Sequence, residues 1–347
     1  MKSYMDYKSF ETQPRLLLEA TLRPAQGHRF QPTGFADLGP AVYTRPCGDG
    51  NNGVQMLLVE SAQSVANRLE KTCLDGDGPD LDKDLKGLPY VAATLTAKEM
   101  EPIRTSSLVE AHRLASPYFL RTTFGDQLVQ EMACAEKGAL NWGRIYRTLF
   151  KYDPNALIHG VFLSLVAGGR VRVPRAVSGF IEAEDVQQVT SGGVKNSAVD
   201  PTGELQVAGV KNEKTGVYSN VPYPRIEFTA RTITAFFNVD LALIRGYGLP
   251  EPGGRLLIAV ALLKIRRFLT THLRLRTACD LLLEGAVRAT APEGFVLPEE
   301  AELLGEVKRL IGECKGLFAD PPVTELKTAI KIVKKKAEDK ADAAGAA

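Results

Sequence analysis

Leu16, Leu18, Ala20 and Leu22 alternate with Leu17, Glu19, Thr21 and Arg23, the period of two that a half-buried strand requires. Helical and strand periods then take turns along the chain, and their order constrains the fold more than any other feature. In VQMLLVESAQSVANRLE (54–70), Val54, Leu57, Leu58, Ser61, Ala62, Val65 and Leu69 fall at i, i+3, i+4 spacing, which predicts a helix packed on a sheet. Gln63, Asn67 and Glu70 face away, and Ser64 and Arg68 flank the seam. ALIHGVFLSL (156–165) and GRVRVPRAVSGFIEA (169–183) read as two strands joined by Ala-Gly-Gly, with Arg170 and Arg172 on one strand face. RIEFTARTITAFFNVDLALI (225–244) is β-branched and aromatic, a further strand. After Gly253-Gly254 comes a helix, RLLIAVALLKIRRFL. In HLRLRTACDLLLE, Leu273, Leu275, Thr277, Cys279 and Leu281 restore the period of two. Strand, helix, strand, strand, helix, strand is the split βαβ order of a ferredoxin-like or RNA-recognition core, an α+β fold.

Two stretches interrupt this order. Residues 100–153, with SSLVEAHRLASPYFL and EKGALNWGRIYRTLF, read as mixed helical segments inserted into the core, behind the acidic loop DGDGPDLDKD (75–84). Residues 185–224 hold five glycines, three prolines and few large apolar residues. A structureless loop of that length inside a compact domain is uncommon, so the stretch is read as a protruding β-hairpin carrying Lys195, Lys211 and Lys214. PEEAELLGEVKRLIG is helical, and the charged, Ala-rich tail is expected to be disordered beyond about residue 335.

Several function classes find no support. There is no apolar run of 18 residues, and MKSYMDYKSF reads as neither signal peptide nor anchor. The five cysteines are scattered without a Cys-x-x-Cys, against a disulfide framework or a zinc site and for a reducing cytoplasm. No Walker-type Gly-Lys-Ser/Thr sequence accompanies Gly192-Gly193, and no cofactor is expected. Of the four histidines, His159 reads as a core residue and His272 starts a strand beside arginines. His28, in a loop beside Arg29, could act as general base on a ribose 2′-hydroxyl or hydrogen-bond a phosphate. Without a paired acid the non-catalytic reading is favoured, and Asp37 in PTGFADLGP reads as a turn residue.

Charge carries the positive signal. Windows 20–36, 154–181 and 252–279 contain no acid and eleven cations, so a net charge of +2 leaves −9 for the rest of the chain. Segregation of this kind builds a local positive field on a nearly neutral molecule. The first loop, the Ser/Arg edge of the first helix, the Gly-Gly-Val-Lys-Asn turn and the LRLR strand all offer groups that bind phosphate and sugar. The aromatic signature of a base-reading RNA-recognition domain is missing, which predicts contact with the backbone rather than with base identity.

RLLLEATLRPAQGHRFQPTGF, LLVESAQSVANRLE, ALIHGVFLS, RAVSGFIEAEDV, SGGVKN and LRLRTACDL, in this order and spacing, resemble one family over about residues 14–284. The resemblance is to the Cas-seven backbone subunit of CRISPR surveillance complexes (RAMP superfamily), in the Csb-one form of the type I U/G subtype. It implies a hand-shaped, modified ferredoxin-like fold: an RNA-recognition-like palm over 1–290, a fingers-type insertion at 71–153 and a thumb hairpin at 185–224. A C-terminal helical segment at 291–334 and a disordered tail at 335–347 complete the expectation. It further implies a cytoplasmic, non-enzymatic protein whose copies stack head to tail along one CRISPR RNA in a helical filament. Base pairing by the guide then reads target DNA. Implied partners are other Cascade subunits of Cas-five, Cas-six and large-subunit type, and a recruited Cas-three nuclease-helicase. The implied RNA contacts are Gln26, His28 and Arg29 in the first loop, Ser61 and Arg68 on the first helix, Lys195 and Asn196 on the thumb, and Arg274 and Arg276 on the last strand. Arg170, Arg172 and Lys211 join them on charge. The chain departs from relatives of other subtypes, which carry an Asn-Pro-Asn-Gly-Asp-like segment where AQGHRFQPTG stands. Alternative readings are a RAMP-type endoribonuclease using His28 and a non-guided single-strand-binding protein. In the leading reading the first loop lacks carboxylates because RNA lies against it.

Overall fold

A computed structural model describes residues 5–35, 37–47, 53–98, 100–202 and 220–331. The elements that matter here are strands β1 (Leu16–Pro24) and β2 (Val54–Glu60), helix α1 (Ala62–Lys71), strands β3 (Tyr90–Ala97) and β4 (Met100–Ser106), and helices α2 (Thr123–Met132) and α3 (Trp142–Tyr152). Then follow strands β5 (Val177–Asn196) and β6 (Asn220–Val239), helix α4 (Glu251–Thr271), strands β7 (Arg274–Arg276) and β8 (Cys279–Leu283), helix α5 (Glu300–Cys314) and strand β9 (Val323–Ala329).

The main sheet runs β7-β8-β1-β6-β5-β2, with Val42–Arg45 on its outer edge and Arg288–Ala291 also pairing with β1. All these pairs are antiparallel. Within it β8-β1-β6-β5, linked through α1 and α4, have the 4-1-3-2 neighbour order of a ferredoxin-like core. Leu16, Leu18, Ala20 and Leu22 are buried, and β1 pairs with β6 from Leu16↔Val239 to Leu22↔Ile233. Helix α4 is buried along most of its length and carries α5 on its other side. The fold is therefore α+β, as the periodicities indicate.

Four local expectations change. The predicted helix over 54–70 is a strand up to Glu60, because Val54–Glu60 pairs with β5 on one side and Val42–Arg45 on the other. Ser61 then caps α1, its hydroxyl accepting from the Ser64 amide at 3.3 Å. The predicted strand 156–165 begins as a buried helix, Asn155–His159. Only Val161–Leu163 is extended, paired with Val171–Val173, and Pro174 separates that pair from β5. The turn between helix and strand needs glycine: Gly160 has φ +77°, and a Cβ there would sit 2.8 Å from the Val173 carbonyl oxygen. The end of the predicted strand 225–244 is helical from Leu241, where Asp240 accepts from the Leu243 amide at 2.8 Å. HLRLRTACDLLLE is two strands, β7 and β8, folded against each other.

A second sheet, β9-β3-β4, was not foreseen. Strand β9, the last among the described residues, lies parallel to β3, from Val323↔Tyr90 to Ala329↔Thr96, so residues 323–329 return to the segment that follows α1. A long hairpin is present, and its strands begin before the stretch 185–224 read from the sequence and end after it: β5 and β6 stay in register from Val177↔Val239 to Asn196↔Asn220. Beyond Val186 the alternation of buried residues on β5 ceases, so that end of the hairpin projects from the sheet. Lys211, Lys214 and the tail 335–347 lie outside the described residues.

Candidate nucleic-acid interface

The acid-free loop after β1 is pinned across one end of the main sheet. Phe30 is buried and exchanges both backbone hydrogen bonds with Phe228 on β6, at 2.9 and 2.8 Å. The Ala25 amide reaches Asp280, Gln31 reaches Ala278 and Thr33 reaches Val59. These ties leave Gln26, His28 and Arg29 exposed in a fixed loop. From Gln31 to Gly34 the loop forms one wall of a cleft of about 590 Å3. Gly39 and Pro40, from a small hairpin, Pro224, Arg225 and Ile226 at the root of the long hairpin, and Arg276 on β7 complete it.

Two arginine–glutamate–arginine clusters flank this cleft. In the first, Glu60, 1% exposed at the end of β2, binds Arg68 at 3.2 Å, the Arg276 guanidinium and the Ser64 hydroxyl. Arg276 also donates to the Gln31 and Val59 carbonyls, and Arg68 to the Leu275 carbonyl at 2.6 Å. In the second, Glu227 on β6 binds Arg29 at 3.2 Å, Arg225 at 3.6 Å and the Ser191 hydroxyl at 2.7 Å. Each cluster holds two cations on one carboxylate and so carries a surplus positive charge. Burial, which disfavours the charged form, lowers the pKa of Arg68 and Arg276 and pushes the neighbouring Cys279 thiol up to about 11. The thiol is neutral at pH 7 and takes no charge from the cluster.

Arg225 and Tyr223, with the guanidinium 5.4 Å from the ring centroid, were not among the expected site residues. Arg225 and Glu227 alternate on one face of β6, but only the Phe30–Phe228 pairing brings the first loop beside them. Of the expected residues, Arg29 and Arg276 belong to the clusters around the cleft. Arg68 lies behind Arg276, committed to Glu60, and Ser61 is spent on capping α1. Arg274 is exposed on β7, with no hydrogen bond or ion pair holding its side chain among the described residues. Lys195 is in register four residues beyond Ser191, which pairs with Arg225, so it stands about 13 Å farther out along the hairpin with Asn196.

Arg170 and Arg172 do not share a face as expected. Arg170 sits in the turn before the strand and donates to the carbonyls of Ala135, Glu136, Gly138 and Ala167, all within 3.0 Å. Arg172 stacks over Phe162, 4.3 Å from its centroid. Neither lines the cleft.

His159 is a core residue, though on a helix: its Nε2 lies 2.7 Å from the buried Lys264 amine, which donates to Asn155 Oδ1 at 2.6 Å. Asp37 is exposed in a turn. The cysteines are free, and no cluster of His, Cys, Asp or Glu that could hold a metal occurs among the described residues. No helix among them is long and apolar enough to cross a membrane.

Residues 16–188 match the model of a family described as CRISPR-associated protein GSU0053. The match is to a CRISPR-associated family. It covers β1, the first loop, β2, α1 and the start of the long hairpin. Among solved structures, a chain of a "CRISPR RNA-guided surveillance complex, pre-nicking" is 16% identical, with 86% of this chain and 89% of that one covered and a TM-score of 0.40. Csc2 of Thermofilum pendens is 11% identical over 91% of this chain and 81% of that one, with a TM-score of 0.31. No curated protein matches the chain in sequence.

Proposed function

We propose that the protein is a non-catalytic, RNA-binding backbone subunit of a CRISPR surveillance complex, of the Csb-one form in a type I U/G Cascade. The observation that carries this reading is the cleft between the two surplus-positive clusters, of which the first loop, Glu60 and Arg68 lie in the segment that matches the CRISPR-associated family and Arg225, Glu227 and Arg276 beyond it. Guanidinium groups held by buried carboxylates are pre-oriented, so they lose little freedom when a phosphate arrives. In this reading residues 1–290 are the palm, 71–153 the fingers and 185–224 the thumb. Copies stack head to tail along one CRISPR RNA in the cytoplasm. Guide pairing selects target DNA, alongside Cas-five, Cas-six and large-subunit partners and a recruited Cas-three. Sequencing the nucleic acid that co-purifies with the protein tests the reading: RNA of repeat-spacer sequence supports it, and unrelated single strands favour a non-guided binding protein instead.

A further inference from the structure

Helix α3 carries cations that the cleft does not use. From Lys137 to Tyr152 the chain has four cations and no acid. Arg144, Arg147 and Lys151 are spaced i, i+3, i+7, which puts them on one stripe of the helix, about 10 Å long at 1.5 Å per residue. The stripe borders a second cleft, of about 320 Å3, whose remaining wall is largely apolar, with Phe150, Leu249 and Pro250. Lys151 is paired with Glu131 at 2.8 Å, and Arg144 donates to the Glu131 carbonyl. Arg147 is exposed and has no hydrogen bond or ion pair among the described residues. The stripe thus keeps two charges beyond the one that Glu131 neutralises.

This second cleft lies at the N-terminal end of α4, beside Leu249 and Pro250, whereas Arg276 follows its C-terminal end. A helix of 21 residues separates them by roughly 30 Å. A strand lying in one cleft therefore does not fill the other by local contact.

We propose that the α3 stripe is a second polyanion site, which holds the phosphodiester backbone of a nucleic-acid strand. A straight row of cations, two of them guanidiniums with fork-like donors, suits regularly spaced phosphates better than the scattered carboxylates of an acidic protein. The proposal is independent of which strand the first cleft binds.

The test uses the full chain with Arg144→Gln/Arg147→Gln, titrated across salt concentrations with duplex DNA, single-stranded RNA and polyglutamate as separate probes. Two lost phosphate contacts reduce the log–log slope by about 1.8 on duplex DNA or about 1.4 on single-stranded RNA, and the probe affected identifies the strand. Arg29→Gln/Arg225→Gln, measured in parallel, reports the first cleft alone, so the two sites fail or succeed separately. Because the Arg144 side chain also holds the Glu131 carbonyl, Arg147→Gln alone is the second variant, with half the slope change expected. Unchanged slopes on both nucleic acids, or a loss confined to polyglutamate, overturn the proposal.

Discussion

The carboxylate of Glu60 meets the Arg276 guanidinium inside the protein, joining the end of β2 to β7 across the sheet. Arg68 takes the other carboxylate oxygen, so one buried acid fixes two cations whose side chains are each about a quarter exposed. Removing the acid leaves both guanidiniums facing each other without a counter-charge.

Glu60→Gln is therefore expected to destabilise the protein by about 3 kcal/mol, the bottom of the range for a broken buried pair because water still reaches both arginines. Urea unfolding monitored by circular dichroism measures it. A variant as stable as the parent would mean that the cluster is not held by charge.

The Lys264–His159 contact makes a pH prediction. Burial, with the charges of Lys264, Arg113 and Arg175 adding to it, holds the His159 pKa well below its usual value. The folded protein keeps this imidazole neutral while the unfolded chain protonates below about pH 6.5, so its contribution is present above that pH and lost as pH falls. Asp153 acts in the opposite sense: burial raises its pKa to about 6, so its contribution is present below about pH 4 and lost as pH rises through 6. Asn replaces each group without titrating. Unfolding free energies from pH 4 to 7 should show the gap between parent and His159→Asn narrowing towards acid. For Asp153→Asn any advantage over the parent should grow towards neutrality. Gaps that do not move with pH would count against both assignments.

Arg170 is predicted to be structural. Its bonds to four carbonyls tie the turn before Val171–Val173 to residues 135–138. Arg170→Ala should cost about 1–2 kcal/mol and speed amide exchange between residues 133 and 140, with RNA affinity unchanged. A tenfold loss of RNA binding with normal exchange would reverse that assignment.

His28 is exposed in the first loop, and Glu60 and Glu227 beside the cleft are engaged with arginines. Purified protein incubated with repeat RNA is expected to leave it intact. Cleavage that His28→Ala abolishes would establish the endoribonuclease reading in place of the scaffold.

The core order was legible because β1, the long hairpin and α4 each declare their period over many residues. The boundary at Ser61 was not, since Leu57, Leu58, Ala62 and Val65 satisfy a helical template while Leu57 and Val59 satisfy a strand, and pairing with β5 decides between them. At the site, sequence singled out cations but not what holds them. Arg68 and Arg276 look alike as free charges until Glu60, far from Arg276 in sequence, claims both. Arg225 stayed hidden because a backbone pairing between Phe30 and Phe228, invisible to any local pattern, places it against the first loop.

The measurement that bears most directly on the cleft is the salt dependence of guide-RNA binding by Arg29→Gln/Arg225→Gln. Both substitutions keep hydrogen-bonding groups near Glu227 while removing the two cations. A log–log slope shallower by about 1.4 than that of the parent is expected, with weaker binding at every salt concentration. A slope and affinity equal to the parent's would show that RNA does not lie in this cleft.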